Sequence, residues 1–111
     1  MPAGVCRRAR AFQIFTGLGV TVANCEPRRP GDGGIDIYGG IATIENCDFG
    51  TSVVQDAIVS RDLARVLSEA NSGTATRYGL YAIRGGDIRK NGAQPSGSTA
   101  NELTASGGSI A

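Results

Sequence analysis

Apolar and polar residues alternate over short stretches of this chain, and the stretches return every 22 residues. Val20-Thr21-Val22 alternates apolar, polar, apolar, and Ala42-Thr43-Ile44 repeats it 22 residues later. At that spacing one column reads Val22, Ile44, Val66, Ile88 and Ile110, aliphatic in every copy, and the column beside it reads Thr21, Thr43, Arg65, Asp87 and Ser109. Alternation with period 2 marks a strand with one face in and one face out. A second strand is predicted in the same register, with Phe15, Ile37, Val59, Tyr81 and Leu103 as its large, inward column.

Two strands and a polar, Gly- or Pro-rich loop per 22 residues describe one coil of a parallel β-helix. A single coil cannot bury its apolar face, but stacked coils merge those faces into a continuous core. The reading is therefore all-β: a right-handed parallel β-helix of about five 22-residue coils over residues 11–111, after a loose basic N-terminus at 1–10. The loops are "PRRPGDGG", "GTSVVQD", "NSGTATR" and "AQPSGST". One segment competes. Ser52 and Gln55 form a capping box, Val53, Val54, Ala57, Ile58, Ala64 and Leu67 form a partial helical stripe, and Gly73 offers a stop. A helix at about 52–70 would make the fold α+β. Val59 and Val66 nevertheless fall into the two apolar columns, and β-branched residues suit strands, which favours the β-helix.

A length of 111 residues allows one domain, and 17 glycines suit a chain full of tight turns. Aromatics at 5% and the absence of Trp argue against an aromatic-centred core. No apolar run approaches the roughly 18 residues that a membrane span needs, so no membrane insertion is expected. A net charge of +1 leaves no electrostatic footprint for nucleic acid. The cluster Arg7, Arg8 and Arg10 reads as a solvated terminus. "MPAGVCRRARAFQIF" lacks the apolar core of a signal peptide. With three cysteines, no CxxC pair and no histidine, neither a disulfide framework, a metal site nor a cofactor is expected. Cys25 and Cys47 lie 22 apart and read as stacked, buried free thiols, and Asn24 and Asn46 as an asparagine ladder joining two coils.

"DGGIDIYGGIATIENCDF" resembles the right-handed β-helix repeat superfamily with the pectate-lyase-like fold: a Gly-Gly turn, an alternating strand, then Asn-Cys and an aromatic. Lys90, Gly92, Gln94, Pro95, Gly97 and Ser98, followed by Gly107, Gly108 and Ile110, resemble a run near the ends of β-helix proteins from phages and Gram-positive bacteria. The resemblance covers residues 19–111. It implies the fold but not one function, since lyases, hydrolases, tailspikes and inert stalks share it. It also implies a virion or cell-surface location and self-association, with trimers as the expected form.

Candidate chemistry lies on the outer positions of the second strand. These read Gly34, Asp36, Tyr38; then Asp56, Ile58, Ser60; then Tyr78, Leu80, Ala82. Asp36, Tyr38, Asp56, Ser60 and Tyr78 form a candidate polysaccharide-contacting face, with tyrosines able to stack on sugar rings. Asp36 and Asp56 sit on neighbouring coils with an offset of two residues, about 8 Å between Cα atoms. That spacing suits the acid and base of an inverting glycosidase. The Asp-Asp pair, Gly-His-Gly and Arg-Ile-Lys of β-helix polygalacturonases are missing, as are the clustered acids of pectate lyases. The balance favours a non-catalytic structural or glycan-binding module of a phage or bacterial surface assembly, over a hydrolase or lyase fragment using the two carboxylates.

Overall fold

In the computed structural model the backbone is described at residues 4–5, 8–9, 12–15, 19–27 and 33–111, and side chains at 19–27 and 33–111. Every described element is a strand. The first are β1 (Gly4–Val5), β2 (Arg8–Ala9) and β3 (Phe12–Phe15). Four turns follow: β4 (Val20–Ala23), β5 (Glu26–Pro27) and β6 (Ile35–Tyr38); β7 (Ile41–Glu45), β8 (Asp48–Thr51) and β9 (Asp56–Arg61); β10 (Arg65–Glu69), β11 (Ser72–Ala75) and β12 (Tyr78–Ile83); β13 (Asp87–Asn91), β14 (Ser96–Gly97) and β15 (Ala100–Ala105). β16 (Ser109–Ile110) opens the next. Each strand pairs in parallel with its counterpart one coil away. The sheets run β1-β4-β7-β10-β13-β16, β3-β6-β9-β12-β15, β8-β11-β14 and β2-β5. The fold is the right-handed parallel β-helix expected from the repeat.

The competing helix is absent. Asp56–Arg61 and Arg65–Glu69 are strands, and Ser52 stands at φ 55°, a left-handed turn rather than a helix cap. Each coil has three strands rather than two. The extra strand is "DFGT", "SGTA" and "SG", the last two inside segments read as loops and the first running into one at Gly50.

The coils also depart from a uniform 22. In the six-stranded sheet β4 meets β7, and β10 meets β13, at a shift of 22, but Ile41 pairs with Arg65, a shift of 24. An even extra shift slides a column along the strand and keeps its face. Val22, Ile44, Val66 and Ile88 are therefore all buried as expected, yet Val66 stacks on Ala42, while Ile44 stacks on Ser68. In the five-stranded sheet Ile35 pairs with Ile58, a shift of 23. An odd extra residue exchanges inside for outside. The inner columns are thus Ile35, Ile58, Leu80 and Ile37, Ser60, Ala82. Ile58, Ser60, Leu80 and Ala82, expected outside, are completely buried. Val59, Tyr81 and Leu103, expected inside, share the outer column with Asp36.

The junctions around β7, β8 and β9 cause both departures. Two residues, Gly39 and Gly40, join β6 to β7, where three, Asp62, Leu63 and Ala64, join β9 to β10. A bulge in β8 and a longer run into β9 bring the shift back to 22. Among the described residues the paired left-handed residues recur at each such turn: Gly39-Gly40, Asp62-Leu63, Arg84-Gly85 and Ser106-Gly107.

Asn24 and Asn46 do occupy left-handed corners, at φ 57° and 53°, and Asn24 N–H donates to Glu45 O. The ladder is a backbone one: both side chains are exposed, and the corner continues through Ala70 (φ 53°) and Gly92 (φ 74°). Cys47 is a buried free thiol whose proton burial holds on to more tightly than usual. Cys25, expected as a thiol, is disulfide-bonded. The Cys25 Sγ lies 3.4 Å from Ala23 O, a contact and not a hydrogen bond, because an oxidised sulfur has no proton to donate. Arg7 and Arg10 of the basic cluster lie outside the described residues.

Candidate functional site

The outer face of the five-stranded sheet gathers most of the predicted residues, through ion pairs between neighbouring coils. β6 presents Asp36 and Tyr38, and β9 presents Arg61 directly beside Tyr38. Arg61 Nε donates to Asp36 Oδ1 at 3.0 Å, and the guanidinium lies 4.8 Å from the Tyr38 ring centroid. At the other end Arg77 grips Asp56 with two bonds, Nε to Oδ1 at 2.9 Å and Nη2 to Oδ2 at 2.6 Å. Arg77 also lies 4.7 Å from the Tyr78 ring and 5.7 Å from Tyr81, whose rings are 5.3 Å apart. Arg84 and Asp62 pair at 2.6 Å across the adjacent turns. Guanidinium faces suit both roles at once, forked donors for carboxylates and flat cations for aromatic rings.

Ser60 does not belong to this face. It points inward, and its hydroxyl lies within hydrogen-bond reach of Ala64 O (3.1 Å) and Asp87 O (3.2 Å). Asp36 pairs with Val59, so Asp56 is offset by three residues rather than two. Three residues and one coil place the Cα atoms roughly 11 Å apart. Sequence reasoning overlooked Arg77 and Tyr81 and gave Arg61 no acidic partner. The signal was present: Asp36 and Arg61, Asp56 and Arg77, and Asp62 and Arg84 are opposite charges separated by 25, 21 and 22 residues. Each separation is about one coil.

Burial raises the Asp36 carboxyl above its usual value of 3.8, outweighing the pull of Arg61 and of a hydrogen bond from Tyr38; nearby Asp56 raises it slightly further. Burial likewise raises the Tyr38 hydroxyl, aided by Asp36. The Asp56 hydrogen bonds raise Arg77 above its usual value. The folded chain thus holds the Asp36 proton more tightly than the unfolded chain. The stability this contributes is fully present below pH 3.8 and is lost as pH rises through the folded value. Relative to Asp36→Asn, the wild-type melting temperature should gain as the pH falls from about 7 towards 4. The opposite slope would mean that Arg61 outweighs burial.

The run "KNGAQPSGS" is built into the scaffold. Gln94 Nε2 donates to Ser68 O at 2.8 Å, and Ser68 Oγ donates to Gln94 Oε1 at 2.5 Å. A Cβ on Gly97 would sit 2.2 Å from Ala100 O, so only glycine lets the chain pass there. Among the described residues no group of acidic or thiol side chains could hold a metal ion. Comparison with known proteins adds no relative: no protein family matches the chain, and no curated protein or solved structure is significantly similar to it.

Proposed function

We propose that this chain is a non-catalytic β-helix module that contacts a glycan through the ledge of Tyr38, Arg61, Arg77, Tyr78 and Tyr81, as part of a phage or bacterial surface assembly. The observation that carries the reading is the pairing of the ledge. Asp36, Asp56 and Asp62 are each matched by an arginine, so three negative charges meet three positive ones. What remains is a half-exposed row of aromatic and guanidinium planes with no net charge, a surface for stacking and hydrogen bonding to sugar rings. Its neutrality favours a neutral polysaccharide over a uronic one. The surface-assembly setting, the pectate-lyase-like kinship and trimer formation rest on the resemblance of residues 19–111. The parallel solenoid is compatible with all three.

A carbohydrate-active enzyme is the second reading, and one observation favours it. A general acid needs a raised pKa, and Asp36 has one. Against it, both carboxylates are committed to arginines, and a base must be free to take a proton.

Affinity electrophoresis through neutral and uronic polysaccharides, with turnover assayed alongside, tests both readings. The wild type should be retarded by a neutral polysaccharide, and Tyr78→Ala should weaken binding about tenfold, the loss of one stacking contact. No retardation by any neutral glycan would sink the ledge reading. Cleavage of a glycan that Asp36→Asn abolishes would establish the enzyme instead.

A further inference from the structure

The outer face of the six-stranded sheet differs from the ledge in both respects that matter. Ile41, Leu63 and Leu67 are the large apolar side chains left exposed among the described residues, at 58%, 77% and 37%, and all three lie on this face or its adjoining turn. Arg65, between Leu63 and Leu67, forms no ion pair, and Arg89 reaches Asp87 only at 3.8 Å. A shallow depression of about 170 Å³ is lined by Ile41, Thr43, Arg65, Leu67, Asp87 and Arg89.

Leu63 is the sharpest of these features. It stands at φ 66°, in the left-handed position that Gly40, Gly85 and Gly107 fill at the other turns. A leucine there costs roughly 1–2 kcal/mol of backbone strain. The chain accepts that strain to hold an apolar side chain mostly out in water, with only its tip resting over Gly85 of the next turn. Strain with so small a return inside the chain points to a contact made elsewhere.

We propose that this face docks on the same face of a second copy, about a two-fold axis parallel to the coil axis. The columns carry the argument. Arg65, Leu67 and Glu69 follow one another outward along β10, two residues apart. A two-fold axis through the Leu67 column sets Leu67 against Leu67 of the second copy. It also sets Arg65 against the second copy's Glu69, twice by symmetry. Leu63 then reaches the left-handed corner at Ala70 of the second copy. Glu69 accepts from Asn91 Nδ2 at 2.6 Å, which leaves its other oxygen for the arginine. Arg89, one coil on in the Leu67 column, faces Arg89 of the second copy, each with its own Asp87 beside it to offset the charge.

The face spans about 19 Å along the coil axis and about 13 Å along the strands, on the order of 500 Å² buried in total. That is the range of weak, transient association, so the dimer forms reversibly at high concentration. Its occupant distinguishes this proposal from the glycan ledge on the other sheet, and either can fail alone.

Sedimentation velocity of the full chain from about 10 µM to about 1 mM tests it. The expected result is a monomer–dimer equilibrium, abolished by Leu67→Asp, weakened at least about tenfold by Arg65→Glu and restored by Arg65→Glu with Glu69→Arg. All these positions are at the surface, and far-UV spectra confirm that each variant folds. A monomer throughout the range overturns the proposal. So does self-association that Leu67→Asp leaves intact, or a charge swap that does not restore it.

Discussion

Phe49→Ala should lower the melting temperature of this chain by about 12–20 °C, the equivalent of roughly 3–5 kcal/mol at about 4 °C per kcal/mol. Phe49, in β8 of the three-stranded sheet, is the largest fully buried side chain among the described residues. Gly34 makes its place: a Cβ there would stand 2.7 Å from the Phe49 ring. Parallel coils cannot slide together to close the gap, because each strand is held by backbone bonds above and below. The cavity term therefore adds to the lost transfer energy. A domain of this size has only about 5–15 kcal/mol of stability to lose. Phe49→Leu retains most of the volume and should cost less than half as much. Thermal unfolding followed by far-UV circular dichroism reads both. A drop below about 5 °C for the alanine variant would mean that the corner collapses around the missing ring.

The repeat made the architecture legible because burial imposes it on every coil. Val22, Ile44, Val66 and Ile88 must all be aliphatic and inward, and a fixed spacing of 22 found that column despite a true shift of 24 across one junction. The same spacing failed at β6 and β9, where the shift is 23. A single added residue reverses every side chain, so Ser60 moved from the candidate face to the core while Val59 and Tyr81 moved the other way. The composition does not announce the odd residue. It arises from a turn one residue shorter at Gly39-Gly40 and two compensating insertions around Gly50 and Ser52, all in sequences that tolerate left-handed backbone. Asp36 and Tyr38 kept their face because they precede the slip, whereas Asp56 and Tyr78 reach the ledge from the first position of their strands, beside Arg77. The arginines that complete it become visible only when charges are compared one coil apart.

Asn71→Leu should destabilise the chain by several kcal/mol, and the reason lies in how the core changes along the coil axis. In the corner column Cys25 and Cys47 precede Asn71, which is completely buried. Its Oδ1 accepts from Cys47 N–H at 2.9 Å, and its Nδ2 donates to Ile44 O at 2.9 Å and to Ser68 Oγ at 2.9 Å. One amide thus ties the β7–β8 corner to the coil that follows. From there the inner columns turn polar: Val22 and Ile44 give way to Ser68 and Lys90, and Ile35, Ile58 and Leu80 to Glu102. Lys90 and Glu102 then pair at 2.5 Å across the last complete coil. Asn71 is the seam between the apolar interior and this polar end. A leucine there fits the volume but leaves the buried Cys47 N–H without a partner, at about 1–3 kcal/mol, and takes one further hydrogen bond each from Ile44 C=O and Ser68 Oγ, at about 0.5–1.5 kcal/mol apiece. The expected loss is about 2–5 kcal/mol, read as a lower urea midpoint with an unchanged slope. Amide exchange separates the hydrogen bond from general loosening, because the Cys47 amide should lose more protection than its strand neighbours in β7. A leucine variant as stable as the wild type would mean that apolar packing offsets the lost hydrogen bonds, and that the polar end is not organised through this side chain.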